Sequence, residues 1–320
     1  MRAQTVALAL LGGLAGCSND FAPRSVLQDL RVLAIQATPL DLQPITGAAG
    51  QVPVIEPIAL AAVEYIPASV TVDPADRHWS FCPFSIGSTV GYACIDPRCE
   101  IPLAPSRPDG SAVAVSDPGA LLAACLATVG GSGGDNGVSA GIPDVIDFIF
   151  RYQVTGLDQA GNPSSREVIE PVPFYLRGVP LPRNLPPEFD ASAGVSIGGR
   201  RFDVTPYGQP VDTGLVLEPG SELDIATPLT PDSAQPYLDD LGQVQTETLI
   251  VSYYTTNGRF DYDRANGPDA RVTLKYESVL AGVPASIYAV ARDLRGGQTV
   301  IGPYLVGVPS VATALPAGNN

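Results

Sequence analysis

Four cysteines, Cys82, Cys94, Cys99 and Cys125, could form disulfides or bind a metal. In an exported protein an even number of cysteines is typical of disulfides, and four cysteines allow three pairings. No two of them have the two-residue spacing of a zinc knuckle, so a zinc site is the weaker interpretation. We predict that Cys94–Cys99 closes a small loop and that Cys82–Cys125 closes a larger one.

The single histidine, His78, limits the catalytic chemistry that the chain could perform. A Ser-His-Asp hydrolase would have to use this residue, with Asp76 nearby and a distant serine. A zinc hydrolase normally requires two or three histidines. We therefore interpret His78 as a turn residue before the strand of Trp79, and we predict that the protein is not an enzyme.

An acidic turn in the second half contains Asp261, Asp263, Asn266 and Asp269. Alternating oxygen donors suit Ca²⁺, which accepts carboxylates and carbonyls. The spacing differs from that of an EF-hand loop, and solvated acids in a hairpin are the alternative. Calcium bound by Asp261, Asp263 and Asp269 is therefore a hypothesis, and no other cofactor is predicted.

Two adjacent tyrosines, Tyr253 and Tyr254, could stack on a sugar. Neighbouring side chains of a strand point to opposite faces, however, so at least one of the two is expected in the core.

A fifth cysteine, Cys17, follows an apolar stretch from Thr5 to Gly16 that is too short to span a bilayer. This stretch ends in Leu14-Ala15-Gly16-Cys17, which resembles the lipobox of bacterial (Gram-negative) lipoproteins. The resemblance implies that residues 1–16 are a signal peptide, and that Cys17 receives a diacylglyceryl group and an amide-linked fatty chain such as palmitate.

The residue after Cys17 indicates in which membrane the lipoprotein is anchored. Ser18 stands where an aspartate would favour retention in the inner membrane. By the same resemblance, the protein is anchored by lipid in the outer membrane, either periplasmic or exposed at the cell surface. Several acyl chains make such an anchor durable.

Composition argues against two classes of partner and favours one class of fold. The net charge is −15, so the chain lacks the basic surface that nucleic-acid binding needs, and an anionic lipid surface is expected to repel it. Hydrophobic residues make up 45%, with 33 Gly and 32 Pro, which favours cores built from short strands and many turns.

Runs of apolar or alternating residues predict strands, and one helix is expected. Asp117 as N-cap, Pro118 at the first position and Gly130 at the end predict that helix. The predicted strands are Leu30–Ile35, Ile58–Tyr65, Trp79–Cys82, Asp144–Val154, Arg166–Leu176, Glu247–Thr255, Arg271–Tyr276, Ser286–Ala291 and Thr299–Val306.

One segment of the first half is similar in sequence to a segment of the second half. The segment from Tyr152 to Gly161 resembles the segment from Tyr288 to Gly296: each is a strand followed by an aspartate and a glycine-containing turn. This resembles the last hairpin of bacterial immunoglobulin-like and fibronectin-III-like modules, and Trp79 resembles their core tryptophan. The resemblance implies a mainly β protein with two immunoglobulin-like β-sandwich domains in tandem.

These observations predict the following organisation: signal peptide 1–16, lipidated tether 17–25, sandwich with a short helix and two disulfides 26–178, proline-rich linker 179–188, second sandwich 189–311, and flexible tail 312–320. The expected function is that of a non-catalytic structural or protein-interaction module of the envelope. A lipoprotein that binds a glycan or another small ligand, with or without calcium, is the alternative.

Overall fold

A computed structural model describes residues 24–46, 54–130, 144–176, 183–218, 220–238, 243–275 and 283–307. The lipobox with Cys17 and the predicted tail 312–320 lie outside the described residues.

The described residues of the first half form ten strands. They are β1 (Arg31–Thr38), β2 (Pro44–Thr46), β3 (Val54–Ile55), β4 (Ile58–Tyr65), β5 (Val70–Thr71), β6 (Arg77–Cys82), β7 (Ile101–Leu103), β8 (Ala112–Val115), β9 (Val145–Asp158) and β10 (Pro163–Tyr175). One sheet has the order β1-β4-β8, and the other has the order β10-β9-β6-β7 with β5 beside β9.

The first sandwich encloses its core between these two sheets. Alternate residues of β9 are buried there, as the sequence predicts, and they face apolar residues of β4 and β8. Trp79 is fully buried, with its ring centroid 4.5 Å from that of Tyr152. Its indole Nε1 donates a hydrogen bond of 3.0 Å to the carbonyl of Gly110. The tryptophan therefore packs in the core and also fastens the loop that precedes β8.

One α-helix, α1 (Pro118–Gly130), is found in the described residues. The amide of Ala120 donates to the Asp117 carboxylate over 3.0 Å, so the predicted N-cap is confirmed. Single 3-10 turns occur at Pro74–Asp76, Ser88–Val90, Pro97–Cys99 and Pro231–Ser233. Within the described ranges, the search for a helix long and apolar enough to cross a bilayer found none.

The described residues of the second half form twelve strands. They are β11 (Val195–Ile197), β12 (Arg200–Phe202), β13 (Val211–Val216), β14 (Glu222–Ala226), β15 (Pro236–Leu238), β16 (Val244–Thr246), β17 (Ile250–Thr255), β18 (Arg259–Phe260), β19 (Arg264–Asn266), β20 (Arg271–Lys275), β21 (Ala285–Arg292) and β22 (Gln298–Gly307).

These strands form a second sandwich. One sheet has the order β12-β11-β14-β20-β18, the other has the order β13-β22-β21-β17-β19, and β13 runs parallel to β22. Val272 and Leu274 face inward as predicted, and Tyr253 is in the core while Tyr254 is only partly buried. The mainly β class and the two tandem immunoglobulin-like sandwiches, the first with a short helix and two disulfides, are confirmed.

The predicted disulfide pairing is wrong. The cysteines join as Cys82–Cys94 and Cys99–Cys125. Cys82 ends β6, and the chain turns back so that Ser85 bridges Cys94. Cys99 lies in a 3-10 turn against α1, which carries Cys125. Sequence distance suggested the short loop, whereas the packing of the helix and the hairpin determines the actual partners.

In both of the similar turns an aspartate side chain accepts hydrogen bonds from two backbone amides of the turn. Asp158 Oδ1 accepts from the amides of Ala160 and Asn162 at 2.9 and 2.7 Å. Asp293 Oδ1 accepts from the amides of Arg295 and Gly297 at 2.7 and 2.8 Å. Asp158 is exposed, whereas Asp293 and Gly297 are buried, and the second turn lies beside Glu170 of the first sandwich.

The segment before β1 starts on the second sandwich, so the structured chain begins before the predicted end of the tether. Ser25 is buried and its carbonyl accepts from the amide of Thr255 over 2.8 Å. The amide of Leu27 donates to the Thr255 carbonyl over 2.7 Å. Ser25 and Leu27 thereby supply hydrogen-bond partners for the amide and the carbonyl of Thr255, the last residue of β17.

Candidate functional site: the cleft between the two sandwiches

The two sandwiches meet through a shared apolar cluster. Leu27, Leu33 and Val63 pack there against Tyr288, Val290 and Val300 of the second half. All six are buried. Burial of aliphatic side chains contributes about 1.5–3 kcal/mol each, so the joint is a third core rather than a loose contact.

Tyrosines of both halves surround this cluster. The ring of Tyr288 lies 6.1 Å from that of Tyr65 and 6.0 Å from that of Tyr207, measured between centroids. Burial, with the nearby Tyr65 hydroxyl, raises the pKa of Tyr288 to about 12. Burial also raises the pKa of Tyr207 well above its usual value. All three phenols therefore stay protonated near neutral pH, because the pKa of Tyr65 is raised by burial as well.

Polar bonds add to the joint. Arg292 on β21 donates through Nη2 to the carbonyl of Leu33 over 2.7 Å. Gln298 on β22 donates through Nε2 to the carboxyl group of Glu170 over 3.0 Å. Glu170 is buried, and burial followed by the nearby Asp293 charge raises its pKa to about 8. A buried carboxyl group thus takes part in holding the sandwiches together.

The first described residues of the predicted linker, Arg183 and Asn184, form hydrogen bonds with both sandwiches. Arg183 Nε donates to Asp41 Oδ1 at 2.9 Å, and its Nη2 donates to Glu56 Oε1 at 2.6 Å. The amide of Asn184 donates to Asp41 Oδ2 at 2.9 Å, and its side chain donates to the carbonyl of Arg295 at 3.1 Å. Residues 183 and 184 therefore contact both sandwiches.

Beside this joint lies a cleft of about 750 Å³. The first sandwich contributes β4, the start of β6 and the loop before β8, and the second contributes β22 and the loop before β13. The apolar part of its wall includes Val63, Ile66 and Val300, and the polar part includes Arg107 and Tyr207. Clefts between domains with a few placed polar groups are common binding sites.

A buried ionic group underlies the cleft. Arg77 Nη2 donates to Glu64 Oε2 at 2.8 Å and its Nε donates to the same oxygen at 3.1 Å, with both residues buried. Tyr152 donates from its hydroxyl to Glu64 Oε1. Burial alone would lower the pKa of Arg77, but the hydrogen bonds and charge of Glu64 outweigh it and the pKa is raised. Burial, then the bond to Glu64, raises the pKa of Tyr152.

A second acid at the cleft is also engaged. Asp109 Oδ1 accepts from the amide and the hydroxyl of Ser111 at 3.0 and 2.8 Å. These two bonds hold the pKa of Asp109 below its usual value, so the group stays ionised. Asp109 is thus held in its charged form rather than poised to exchange a proton. The arrangement suits binding through the Arg107 guanidinium, hydroxyl groups and apolar wall.

The predicted calcium ligands Asp261, Asp263 and Asp269 have other roles in the structure. No group of three or more His, Cys, Asp or Glu side chains that could hold a metal occurs in the described ranges. Asp261 Oδ1 instead accepts from the amides of Tyr262 and Thr273 at 2.7 and 2.9 Å. Asp263 begins a turn into β19, and Asp269 is exposed. The calcium hypothesis stays without structural support.

His78 is not a turn residue but lies exposed within β6. It lines a shallow depression on the outer sheet face together with Glu100, Arg151 and Glu167. Arg151 pairs there with Glu167 at 3.1 Å. No hydrogen bond between His78 and Asp76 is formed among the described residues, so the catalytic pair considered from the sequence is not assembled.

Sequence reasoning missed Glu64, Arg77 and Tyr207. A signal for Glu64 was present, because it is the one charged residue of the apolar strand Ile58–Tyr65, and a charge at a core position requires a partner. Tyr207 carried no such signal. It lies in a loop, 143 positions from its partner Glu64.

Comparisons with known proteins found distant similarities among solved structures. The scan of family models and the search of curated proteins found no match. Fibronectin(III)-like modules of CbhA from Clostridium thermocellum share 8% identity over 83% of this chain and 92% of theirs, with a TM-score of 0.23. SGBP-B of the Bacteroides ovatus mixed-linkage glucan utilization locus, solved in complex with a mixed-linkage heptasaccharide, has 10% sequence identity to this chain. The match covers 88% of this chain and 70% of that one, with a TM-score of 0.17. The fold assignment rests on the sheet orders and cores described above.

Proposed function

We propose that this chain is a non-catalytic lipoprotein, anchored in the outer membrane through Cys17, that acts as an interaction module of the cell envelope. Its two sandwiches form one body, and the cleft between them is the surface that receives a partner. The observation that carries the proposal is the joint itself: an apolar cluster from both halves, closed by the bond between Tyr207 and Glu64. A fixed joint gives the cleft a constant shape, which lowers the entropic cost of binding.

The chemistry of the cleft supports binding rather than catalysis. Glu64 is held by Arg77 and Tyr152, and Asp109 by Ser111, so neither carboxylate is free for general acid or base work. The two disulfides suit an oxidising compartment outside the cytoplasm. The lipobox supplies the anchor.

A glycan or another small ligand is the second candidate occupant. The size of the cleft, about 750 Å³, suits a small oligosaccharide. Arg107 offers hydrogen-bond donors, and the hydroxyl oxygens of Ser111 and Tyr207 offer acceptors, beside the apolar Val63 and Val300, the combination that sugar rings require.

The two candidates separate in one set of experiments on residues 17–320 with Cys17→Ser. A photo-crosslinking residue at Ile66, which lines the cleft, should capture a discrete envelope protein, and the same residue at the exposed Val244 should not. Equal capture at both positions would contradict a protein partner at the cleft.

For the ligand alternative, a panel of envelope glycans should raise the melting temperature, because a ligand that binds only the folded state stabilises it. Arg107→Ala and Ser111→Ala should abolish that shift, whereas Arg271→Ala on the exposed face of β20 should keep it. Absence of both crosslinking and a shift would contradict the cleft as the binding surface.

A further inference from the structure

Three arginines form a basic patch on this acidic protein. Arg24, Arg31 and Arg264, here called the arginine patch, line a depression of about 370 Å³ together with Tyr254 and Asp263. With one acid among three arginines, the local charge is positive, opposite to the net charge of −15.

Ionic partners distinguish the arginine patch from several other arginines. Arg77 pairs with Glu64, Arg98 with Asp96, and Arg295 with Glu247. No member of the patch forms an ion pair with a carboxylate in the part of the chain that the structure describes. Unpaired guanidinium groups that converge on one depression suit phosphate, which they bind through two parallel hydrogen bonds.

Regular backbone pairing fixes the position of the patch. Arg264 begins β19 and lies opposite Ser252 of β17. Arg31 begins β1, and its Nη1 donates to the carbonyl of Arg24. The bonds of Ser25 and Leu27 to Thr255 hold the segment that carries Arg24. The three side chains are therefore presented by strands and a pinned segment.

The patch also lies close in sequence to the lipobox cysteine. Arg24 is seven positions after Cys17, and seven extended residues span at most about 25 Å. Tyr262, two positions before Arg264, is 73% exposed, and tyrosine is enriched where a protein meets lipid headgroups. The net negative charge does not prevent such contact, because salt screens it beyond about 10 Å.

We propose that the arginine patch docks on the phosphate groups of the anionic bilayer that holds the acyl chains of Cys17. The docked patch sets one orientation of the body at the membrane. This inference rests on the lipid anchor of the proposed function.

The test attaches the lipid to Cys17 chemically instead of enzymatically. Its result therefore does not depend on whether cells acylate Cys17. Residues 17–320 are coupled through the Cys17 thiol to a maleimide lipid, which is selective because the other four cysteines are paired. An azidophenylalanine in place of the exposed Asn266, two positions after Arg264, carries a fluorophore. Energy transfer to a headgroup acceptor reports how close the patch lies to the bilayer. Vesicles of phosphatidylcholine are compared with vesicles that also contain phosphatidylglycerol.

Energy transfer should be high on the anionic vesicles and low on the neutral ones. R24Q/R31Q/R264Q should reduce the ratio of docked to undocked protein by about fivefold per arginine. The control R98Q/R200Q/R271Q makes the same change in net charge at other exposed positions and should leave transfer unchanged.

Equal transfer for the patch variant and the unaltered protein would overturn the proposal, as would an equal loss in the control. Titration with inorganic phosphate separates the remaining source. If phosphate binds to the patch while transfer is the same on both vesicles, the patch is a site for a free anion and the membrane proposal is wrong. Failure of acylation at Cys17 in cells would instead contradict the anchor and leave this result unaffected.

Discussion

Tyr207 of the second sandwich donates its hydroxyl hydrogen to the main-chain carbonyl of Glu64 in the first. The same Glu64 holds Arg77 with its carboxylate beneath the cleft. One residue therefore links the buried ion pair of one sandwich to the loop of the other. The stability of the joint and the shape of the cleft should accordingly change together.

Removal of that hydroxyl tests the link. Tyr207→Phe should lower the free energy of unfolding by about 1–2 kcal/mol, because a buried carbonyl loses a donor. Urea unfolding followed by circular dichroism measures the change. Tyr262→Phe, at an exposed position, is the matched control and should be neutral. A neutral Tyr207→Phe would show that the bond adds nothing to the joint.

The buried carboxyl group of Glu170 makes stability depend on pH. Burial raises its pKa to about 8 in the folded protein, above the usual value of 4.5. The folded state therefore binds more protons than the unfolded state between these values. The free energy of unfolding should fall by a few kcal/mol as the pH rises from about 4.5 to about 8.

The variant Glu170→Gln should flatten that fall and stabilise the protein at neutral and alkaline pH. Asp293 and Arg292 face the same group from the second sandwich, and Gln298 donates to it. Asp293 contributes in the same direction, since burial raises its pKa too. Denaturant titrations at several pH values measure the slope, with the exposed Glu222→Gln as control. An unchanged slope in Glu170→Gln would contradict this assignment.

The linker should resist proteolysis at its second half. Trypsin should cleave slowly after Arg183, because Asp41 holds both Arg183 and Asn184. Asp41→Ala removes the buried carboxylate that accepts from both residues, so cleavage there should accelerate. Asp29→Ala, at an exposed position, should cleave like the unaltered protein. Rapid cleavage of the unaltered protein after Arg183 would contradict the role of Asp41 in holding this part of the linker.

The disulfide pairs can be read directly by mass mapping of non-reduced peptides. Linked peptides should join Cys82 to Cys94 and Cys99 to Cys125. The second bridge spans 26 positions, and a loop of that length contributes about 3 kcal/mol by restricting the unfolded chain. Cys99→Ala/Cys125→Ala should lose about that much stability. A peptide that links Cys94 to Cys99 would contradict the structure.

The sequence predicts most of the strands, because alternation along one strand shows which side chains are buried. The face of β9 from Ile146 to Val154 is an example, and the turns at Asp158 and Asp293 follow from aspartate and glycine chemistry. Alternation does not show which neighbour covers a buried face. Val290 alternates like a core residue, yet it packs against the other sandwich.

The parts that sequence reasoning missed depend on distant pairs. The cysteine partners were misassigned because α1 brings Cys125 to Cys99, and sequence spacing does not contain that packing. Glu64 was identifiable as a charge within an apolar strand, but its partners Arg77 and Tyr207 were not. The joint between sandwiches, and with it the cleft, is therefore a property of the folded chain.

Mass spectrometry of the amino-terminal peptide from the membrane fraction decides whether the lipid anchor exists. We expect a mature chain that begins at Cys17 and carries a diacylglyceryl group and an amide-linked acyl chain, and a Cys17→Ser protein that is absent from membranes. A chain that retains residues 1–16, or an unmodified Cys17 in protein that still sediments with membranes, would contradict it.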